Sequence, residues 1–510
     1  MKKIVTVLLS LTFFYSSITN AYACTGVIIG KDLTEDNSTI FARNEDIEPN
    51  HNKTYIVHPA KDNKPGDTLV DEVNGFTFKL PEKSYKYSSI SDVEVKKGIF
   101  DEAGFNEYNV AVDATVSMKA NDDVLKVDPY VKNGIAESIM TSVILPHAKS
   151  AKEAVQLLAS IVDTQGASEG NGVVIADNNE IWYMEIYSGH QYAAIKYPSD
   201  KFSVIPNNFV LDTIDINDKE NTIVSKGLIE TVKKANTYVE ENSKIHLSKS
   251  YGSLMLDTDK SRAYSGILAL SPNSKIKYSD ERFDFFQTTD KKITIEDVIG
   301  FTRNQLENTE FKMMDETNTI SDKYKYPISN QATVESHIFQ IRGNNTNTMW
   351  LSMSNSKYAA YVPFYSSVND TFEPYKNTNK KYDEKSFYWV SNLINKMGQL
   401  DSEFGNKFSL KLKEFEDEMI KTQKENDKKI IQGTLDMKDV TAIGITNSEK
   451  AYNMMLETIN DQANAELVEK AKQQLTNKTN NNLYYIIGVP VILVLALSIF
   501  GFKKIKKDRK

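Results

Sequence analysis

Cysteine is nearly absent from this sequence, in which Cys24 is the single example among 510 residues. A chain with one cysteine cannot close an internal disulfide bond, so its stability has to come from the packing of its core. If the chain is exported to an oxidising compartment, a thiol without a partner is better explained by chemistry than by packing. Cys24 is therefore the first candidate for a functional residue.

The common signatures of metal and nucleotide chemistry are missing too. The sequence has no His-Glu-x-x-His zinc motif and no glycine-rich phosphate or dinucleotide loop. An excess of positive charge is also absent, because the formal net charge is −8. Lys2 and Lys3 contribute +2 and the last eight residues a net +5, so the residues between them carry −15. Such an acidic body argues against a nucleic-acid partner.

A secretion signal is predicted for residues 1–23. It consists of the basic start Met1-Lys2-Lys3, an apolar run over 4–15 and the small-residue site Ala21-Tyr22-Ala23. Cleavage after Ala23 would leave Cys24 with a thiol and a free α-amine on one residue. Because an α-amine titrates near pH ~8, part of it is unprotonated at neutral pH and can accept the thiol proton. The alternative is a lipoprotein with a blocked Cys24, although the bulky Tyr22 fits a lipobox poorly.

A membrane anchor is predicted near the other end of the chain. Residues 483–502 carry no charge, and a helix of about 20 residues reaches roughly 30 Å, one hydrocarbon thickness. The basic tail 503–510 and the aromatic pair Tyr484-Tyr485 indicate that this helix runs from outside to inside. We therefore expect a single-pass protein of the cell membrane, with an extracellular body and a cytoplasmic C-terminus.

The body between signal and anchor is predicted to be α+β, with antiparallel sheets and helices outside them. Strands are predicted at 26–30, 38–44, 55–57, 110–116, 172–176, 180–187, 191–197, 202–206, 336–342 and 349–353, and helices at 135–143, 151–162, 221–238 and 295–306. Beyond Tyr382 the chain is mostly charged and helical. We divide the body into a catalytic domain, 24–395, and a charged helical region with a tether, 396–482. The helices at 411–429 and 451–475 form either a packed layer near the membrane or a stalk, and their dense charge makes solvated helix the default interpretation.

The charged cluster Arg43-Asn44-Glu45-Asp46 lies near the end of the second predicted strand. A short turn would bring this end beside the start of the first strand, with Arg43 next to the thiol and Asp46 next to the α-amine. A neighbouring cation lowers the pKa of a thiol. The competing interpretation is a surface charge cluster at a strand exit.

An acyl-transfer site also needs hydrogen-bond donors for the developing oxyanion. Asn207 offers a side-chain amide at the end of the strand predicted over 202–206, and Asn208 would serve as well.

Several motifs together resemble a known group of enzymes. Cys24-Thr25-Gly26, Arg43-Asn44-x-Asp46 and 204–207 (Val-Ile-Pro-Asn) are similar to the N-terminal-nucleophile hydrolases of the choloylglycine hydrolase and acylase group. Longer stretches resemble one branch of it, the C69 family dipeptidases. These stretches are 106–107 with 110–115, 173–177 with 182–185, 189–190, 335–342 and 361–365. The likeness extends from Cys24 to about position 395.

The resemblance implies a four-layer αββα N-terminal-nucleophile hydrolase fold, here followed by the helical region and one transmembrane helix. It implies that Cys24 is the nucleophile with its own α-amine as base. Carried over by motif, Arg43 would steady the thiolate, Asp46 would hold the amine and Asn207 would contribute to the oxyanion hole. No metal or organic cofactor is required.

The sequence departs from the acylase pattern at two places. Thr115-Val116 stands where the acylases have an asparagine, and Arg262, the candidate for a later site arginine, has surroundings that match poorly and is left unassigned. His337 lies in an alternating, strand-like stretch, which favours a structural or substrate-contact role over a catalytic one.

The predicted function is that of an extracellular cysteine-type dipeptidase acting on short peptides. One alternative is an amidohydrolase of the same mechanism acting on acyl amides such as bile salts, penicillin V or acyl lactones. The other alternative, from a different class, is a non-catalytic surface lipoprotein or binding module.

Overall fold

The computed structural model describes residues 24–93, 100–314 and 318–476. The predicted signal peptide 1–23, the transmembrane helix 483–502, the basic tail 503–510 and the end of the tether from 477 onward lie outside these residues. Within the described ranges, no helix is long and apolar enough to span a bilayer.

Two antiparallel sheets form the centre of the structure. The strands in chain order are β1 (Thr25–Ile29), β2 (Thr39–Asp46), β3 (Lys53–His58), β4 (Tyr87–Asp92), β5 (Asp101–Asn106), β6 (Ala111–Met118), β7 (Gly170–Ala176), β8 (Ile181–Ile186), β9 (Tyr192–Lys196), β10 (Phe202–Ile205), β11 (Thr222–Val224), β12 (Thr333–Ile341), β13 (Thr348–Met353) and β14 (Val362–Tyr365). One sheet has six strands in the order β10-β1-β2-β12-β13-β14, and the other has eight in the order β11-β9-β8-β7-β6-β5-β4-β3.

The helices occupy the outer sides of these sheets. In chain order they are α1 (Asp122–Val127), α2 (Glu137–Ile144), α3 (Ala151–Gln165), α4 (Leu228–Lys234), α5 (Leu247–Tyr251), α6 (Asp257–Leu270), α7 (Ile295–Thr302), α8 (Phe387–Leu400), α9 (Ser402–Ile431), α10 (Val440–Asn460) and α11 (Ala465–Thr476). Side chains cap several of them. Thr294 and Asp297, for example, form a capping box at the start of α7.

The two sheets pack face to face through aromatic side chains. Phe41 of β2 stacks on Phe339 of β12 with ring centroids 4.6 Å apart, and Phe105 of the eight-stranded sheet meets Phe339 edge to face at 4.9 Å. Helices α2 and α3 cover the other face of the eight-stranded sheet, where Val143 and Leu158 join the cluster around Trp182. Helices α7 to α10 contact the six-stranded sheet from its outer side. The order is helix, sheet, sheet, helix, and the predicted α+β class is confirmed.

Strands β1 and β2 form a hairpin that positions Cys24, and the loop over 30–38 connects them. All five residues of β1 are buried, and a 3-10 turn over Lys31–Leu33 leads toward β2. Gly30 is required at this point, because a Cβ there would lie 2.4 Å from the carbonyl oxygen of Ser199. Strand β1 is hydrogen-bonded on both sides, to β2 and to β10. The residue just before it is therefore held at a fixed place in the sheet.

The charged C-terminal helices form a packed layer and not a stalk, the two possibilities that the sequence left open. Phe408, Leu412 and Met419 of α9 are buried in the same apolar cluster as the six-stranded sheet. Glu416 of α9 accepts hydrogen bonds from both terminal nitrogens of Arg303, at 2.7 and 2.8 Å, and from the backbone N–H of Tyr361 at 3.0 Å. These bonds attach α9 to the body.

All ten predicted strands are present, but the helix predicted over 221–238 is wrong at its start. Thr222–Val224 forms β11 and extends the eight-stranded sheet beside β9, and the helix α4 begins only at Leu228. Three consecutive β-branched residues favour this edge strand over a helical turn. The helix predicted over 295–306 ends at Thr302.

The contact between α9 and the body generates a prediction about stability. Glu416→Ala should lower the free energy of unfolding by about 3 kcal/mol, because it leaves a partly buried guanidinium and a buried backbone N–H without their acceptor. Chemical denaturation of the purified protein measures the change. The matched control on the same helix is Asp417→Ala, which removes an exposed pair with Lys413 and should have little effect. Equal losses in the two variants would contradict the role assigned to Glu416.

Candidate active site

The β1–β2 hairpin brings Cys24 and the charged cluster together. Thr25 pairs with Asn44, and Gly26 pairs with Arg43. Cys24 is 6% exposed, and its Sγ lies 3.3 Å from Glu45 Oε2 and 3.8 Å from Arg43 Nη1. Burial raises the pKa of the Cys24 thiol well above its usual value, and the charge of Glu45 raises it further, while Arg43 lowers it. At rest the thiol is therefore protonated and donates to Glu45.

Arg43 is fully buried and surrounded by carboxylates. Its Nε donates to Asp113 Oδ1 at 2.7 Å, its Nη2 to Glu102 Oε2 at 3.0 Å, and its Nη1 closely contacts Glu45 Oε2. Burial alone would lower the pKa of Arg43, but Asp113 and Glu45 raise it well above the usual value. The guanidinium is therefore a permanent cation beside the thiol.

The charge network continues away from Cys24. Lys53 lies in close contact with both Glu102 and Asp92, and Asp92 Oδ2 is 3.1 Å from His51 Nε2. Burial would raise the pKa of Asp92, but Lys53 and His51 bring it down to about 2. This network links strands β3, β4 and β5 to the position of Arg43.

His337 belongs to the same network and contacts carboxylates. Its Nε2 lies 3.3 Å from Asp113 Oδ2 and its Nδ1 3.1 Å from Glu335 Oε1. Burial would lower the pKa of His337, but Glu335 and Asp113 raise it to about 9. A histidine that is charged at neutral pH is a poor proton acceptor, so these contacts agree with the expected structural role.

Asp46 lies at a β-bulge near the end of β2, one residue beyond Glu45. Its carboxylate accepts hydrogen bonds from Thr333 Oγ1 and Asn330 Nδ2, both at 2.6 Å. Burial raises the pKa of Asp46 to about 7, although these two hydrogen bonds and the charge of Arg262 lower it. Asp46 is therefore held firmly, close to the point where the sheet meets Cys24.

Arg262, which the sequence left unassigned, joins this site from helix α6. Its Nη1 closely contacts the carbonyl oxygen of Cys24 and donates to Thr25 Oγ1 at 2.8 Å. Its Nη2 donates to Asn207 Oδ1 at 3.0 Å and to Asp259 Oδ1 at 2.7 Å. The guanidinium therefore connects Cys24 directly to Asn207. Nothing in the sequence pattern indicates this role, because α6 carries buried polar residues and shows little amphipathic pattern.

The two asparagines that the sequence could not separate have different surroundings. The Oδ1 of Asn207 is bound by Arg262, which orients its Nδ2 to donate to the backbone oxygen of Ser117 at 3.0 Å. Asn208 points elsewhere, since its Oδ1 accepts from Arg282 Nη1 at 3.2 Å. Within the described part of the chain, the structure shows no acceptor for the other N–H of the Asn207 amide. The side chains of Thr115 and Val116, where the acylases have a donor, lie outside the described part of the structure.

Glu137 is a further buried acid near the thiol, and sequence reasoning missed it. Its Oε2 accepts a hydrogen bond from Ser117 Oγ at 2.5 Å. Burial raises the pKa of Glu137 to about 8, with Glu45 and Glu169 adding to the effect. In the part of the chain that the structure covers, no group of three or more His, Cys, Asp and Glu side chains is arranged to hold a metal ion.

Chemically, the site presents a thiol between a carboxylate and a guanidinium, with a fixed side-chain amide nearby. Such an arrangement can attack a carbonyl carbon and stabilise the oxyanion that forms.

The contact between Glu45 and the thiol predicts a change in reactivity. Glu45→Gln removes a negative charge and should lower the pKa of Cys24 by about 1 or more. The pH dependence of alkylation by iodoacetamide measures this, and because Cys24 is the single cysteine of the sequence the signal is unambiguous. Glu425→Gln, on the exposed side of α9, is the control and should leave the profile unchanged. An unshifted profile in Glu45→Gln would refute the electrostatic role.

The charged state of His337 predicts a pH-dependent stability. Because its folded pKa of about 9 exceeds the usual value of 6.5, its contribution is present in full below pH ~6.5 and is lost as pH rises through ~9. The wild type should therefore lose on the order of 3 kcal/mol more than His337→Gln between these pH values. Denaturation of both proteins at pH 6 and pH 10 tests this, and equal losses would show that His337 is neutral in the folded state.

Comparison with known protein sequences identifies the family of this chain. The sequence model of Peptidase family C69 matches residues 23–416. The "Probable dipeptidase B" of Streptococcus pyogenes serotype M1 is 45% identical over 444 residues, covering 84% of this chain and 89% of that protein. The "Probable dipeptidase" of Latilactobacillus sakei is 36% identical over 380 residues, covering 72% and 79%.

Two solved structures show weaker likeness. Penicillin V acylase from Agrobacterium tumefaciens aligns with 67% of this chain and 86% of its own at 12% identity and a TM-score of 0.31. A variant of conjugated bile acid hydrolase from Clostridium perfringens aligns with 65% and 89% at 14% identity and a TM-score of 0.28. Both scores are low, so the assignment rests on the sequence matches, which cover most of the chain. The chain belongs to peptidase family C69.

Proposed function

We propose that this member of family C69 is an extracellular dipeptidase whose nucleophile is the thiol of Cys24. The observation that carries the proposal is the contact set of this thiol, which lies against Glu45 and Arg43 and is connected through Arg262 to the amide of Asn207. The relatives named as probable dipeptidases, at up to 45% identity, support peptides as the substrate class.

In the proposed mechanism, removal of residues 1–23 frees the α-amine of Cys24. This amine takes the thiol proton while Sγ attacks the peptide carbonyl carbon, so that a C–S bond forms as the carbonyl becomes an oxyanion. The free N–H of Asn207 donates to that oxyanion. The intermediate collapses, the amide C–N bond breaks, and the proton passes from the α-amine to the departing nitrogen.

The acyl-enzyme is then a thioester on Cys24, and water completes the reaction. The α-amine accepts a proton from the attacking water, the C–S bond breaks, and the proton returns to sulfur. Arg43 remains charged throughout, so it stabilises the sulfur of Cys24 whenever that sulfur carries negative charge. Asp46 orients the amine, and Arg262 holds the carbonyl oxygen of Cys24 so that the terminal residue keeps its position.

The proposed location is the outer face of the cell membrane, with one anchor at 483–502 and a cytoplasmic tail at 503–510. The order of a basic start, an apolar run and a small-residue site in 1–23 supports export, and the uncharged run followed by basic residues supports the anchor.

The nucleophile is tested by Cys24→Ala and Cys24→Ser. Both should reduce kcat/KM for dipeptides by at least about 1000-fold, with an unfolding midpoint close to that of the wild type. Glu425→Gln is the control for activity. Substantial hydrolysis by either Cys24 variant would rule the mechanism out.

Two measurements on the wild type complete this test. N-terminal mass analysis should find a free Cys24, whereas a diacylglyceryl adduct would indicate a lipoprotein without this chemistry. A panel of dipeptides assayed beside bile-salt, penicillin V and acyl-lactone substrates should show hydrolysis of the dipeptides. Preferential cleavage of the acyl amides would instead make the protein an amidohydrolase.

A further inference from the structure

Glu185 is a buried acid that the proposed mechanism does not use. It lies on β8 with 0% exposure, two residues after Tyr183 and on the same face of the strand. Residues 182, 184 and 186 pack with the outer helices, so Tyr183 and Glu185 face the six-stranded sheet. A carboxylate between two sheets loses its hydration, which costs free energy unless hydrogen bonds replace the lost water.

The hydrogen bonds to Glu185 come mainly from the segment that follows Asn207. Its Oε1 accepts from the backbone N–H groups of Val210 at 2.7 Å and Leu211 at 3.2 Å. The hydroxyl of Tyr183 donates to the same oxygen at 3.0 Å. Burial raises the pKa of Glu185 to about 7, although the two backbone donors lower it. One carboxylate oxygen therefore fixes two consecutive peptide groups, which begin three residues beyond Asn207.

The strands on both sides of Glu185 leave room for this segment. Glu185 pairs with Gly172 of β7 and with Ala193 of β9, and opposed residues of antiparallel strands project to the same face of a sheet. A Cβ at position 172 would lie only 2.9 Å from the hydroxyl oxygen of Tyr183, the side-chain donor to Glu185. The two small residues therefore allow the carboxylate and its donors to lie together on this face.

Asn207 lies where the chain crosses from one sheet to the other. The strand before it, β10, belongs to the six-stranded sheet and pairs with β1. The residues after it, 210–211, are bound by Glu185 of the eight-stranded sheet. The backbone N–H of Asn208 donates to the carbonyl oxygen of Pro206 at 2.8 Å, so the crossing begins with a tight turn centred on Asn207. The position of this turn therefore depends on an anchor in each sheet.

The side-chain amide of Asn207 also has a partner on each side. Its Oδ1 accepts from Arg262, which holds the carbonyl oxygen of Cys24 next to the six-stranded sheet. Its Nδ2 donates to the carbonyl oxygen of Ser117, on a strand of the eight-stranded sheet. Both bonds form only if the backbone of Asn207 is held at the correct place between the sheets.

We propose that Glu185 is a positioning residue, which acts through the backbone of Val210 and Leu211 to hold Asn207 in place for the oxyanion. The inference rests on the proposed function, in which the amide of Asn207 donates to the oxyanion of the substrate. The role is indirect, because the carboxylate binds the backbone of the segment rather than the donor amide itself. An oxyanion donor is effective only when its position is fixed before the charge develops. Without Glu185, the segment keeps its anchor in β10 and loses the one in β8.

This role predicts losses of activity that are not additive. Asn207→Ala removes the donor and should lower kcat by about 100-fold. Glu185→Ala leaves the donor present but loosely held, so kcat should fall at least about 10-fold while KM stays within about 2-fold of the wild type. In the double variant, Glu185→Ala should add no more than about 2-fold to the loss from Asn207→Ala, because no donor remains to be positioned.

The experiment measures kcat and KM for alanyl-alanine in the purified full chain, for the wild type, the two single variants and the double variant. Glu416→Ala is the matched control, because it also removes a buried carboxylate that accepts a backbone N–H, and it should keep the wild-type kcat. The rate at which iodoacetamide alkylates Cys24 should be the same in Glu185→Ala and the wild type, since alkylation forms no oxyanion.

Three results would overturn the inference. The first is a wild-type kcat in Glu185→Ala. The second is a double variant whose loss is the product of the two single losses, which would show that Glu185 and Asn207 act independently. The third is a changed alkylation rate in Glu185→Ala, which would show that the whole site is disturbed and not the oxyanion donor alone.

Two further measurements cover the case in which Glu185→Ala does not fold. Glu185→Gln keeps the size of the side chain and an acceptor oxygen for residues 210 and 211, so it should keep kcat within about 3-fold of the wild type. A loss as large as that of Asn207→Ala would contradict the anchoring role. In the wild type, the amide hydrogens of Val210 and Leu211 should exchange with solvent at least about 100-fold more slowly than free amides, and unprotected exchange would refute the contact.

The outcomes separate this inference from the proposed function. If Cys24→Ala hydrolyses dipeptides as fast as the wild type, the proposed function fails and the inference fails with it. If Cys24→Ala and Asn207→Ala lose activity while Glu185→Ala keeps the wild-type kcat, the inference alone fails and the dipeptidase stands.

Discussion

The buried guanidinium of Arg43 is the interaction on which the rest of the site depends. It contacts carboxylates on β2, β5 and β6, and so joins the two sheets at the point where the thiol of Cys24 lies. Transferring a charged side chain from water to the protein interior costs free energy. The attraction between Arg43 and its carboxylate partners offsets this cost only when their hydrogen-bond geometry is kept. The ring contacts of Phe41, Phe105 and Phe339 set the distance between the sheets. This distance therefore has to be one at which the carboxylates of both sheets reach the guanidinium of Arg43.

The same electrostatics give the thiol a controlled reactivity. Burial and Glu45 keep it protonated, while Arg43 is available to stabilise the thiolate when a base removes the proton.

The sequence predicts the parts of this molecule that depend on local pattern. The apolar residues of strands β1 and β2 alternate with polar ones or form a continuous run, and residues typical of turns bound both strands. Their pairing and the approach of Arg43 to Cys24 can therefore be expected from the sequence alone. Arg43 and Glu45 are two residues apart on one strand and so share a face, a signal from which the Glu45 contact could have been predicted. Arg262 and Glu137 could not be found in this way. Arg262 lies 238 residues from Cys24 on a helix with weak amphipathicity, and Glu137 meets the site only because α2 packs on β5 and β6. The sequence predicts a helix at the edge strand β11, because the few apolar residues of this strand fit both the helical and the strand period.

The position of Cys24 in the sheet has a consequence for the order of events during maturation. Terminal residues of most domains fray, but this one immediately precedes a strand bonded on both sides, and its own side chain is buried. A protease that severs the bond before Cys24 needs an extended, accessible segment around it. If a signal peptidase makes this cut, it has to act while the emerging polypeptide is still unfolded, before β1 pairs with β10. Secretion would then come first and folding second, and the pairing of β1 with its two neighbours would hold the new terminal residue in place.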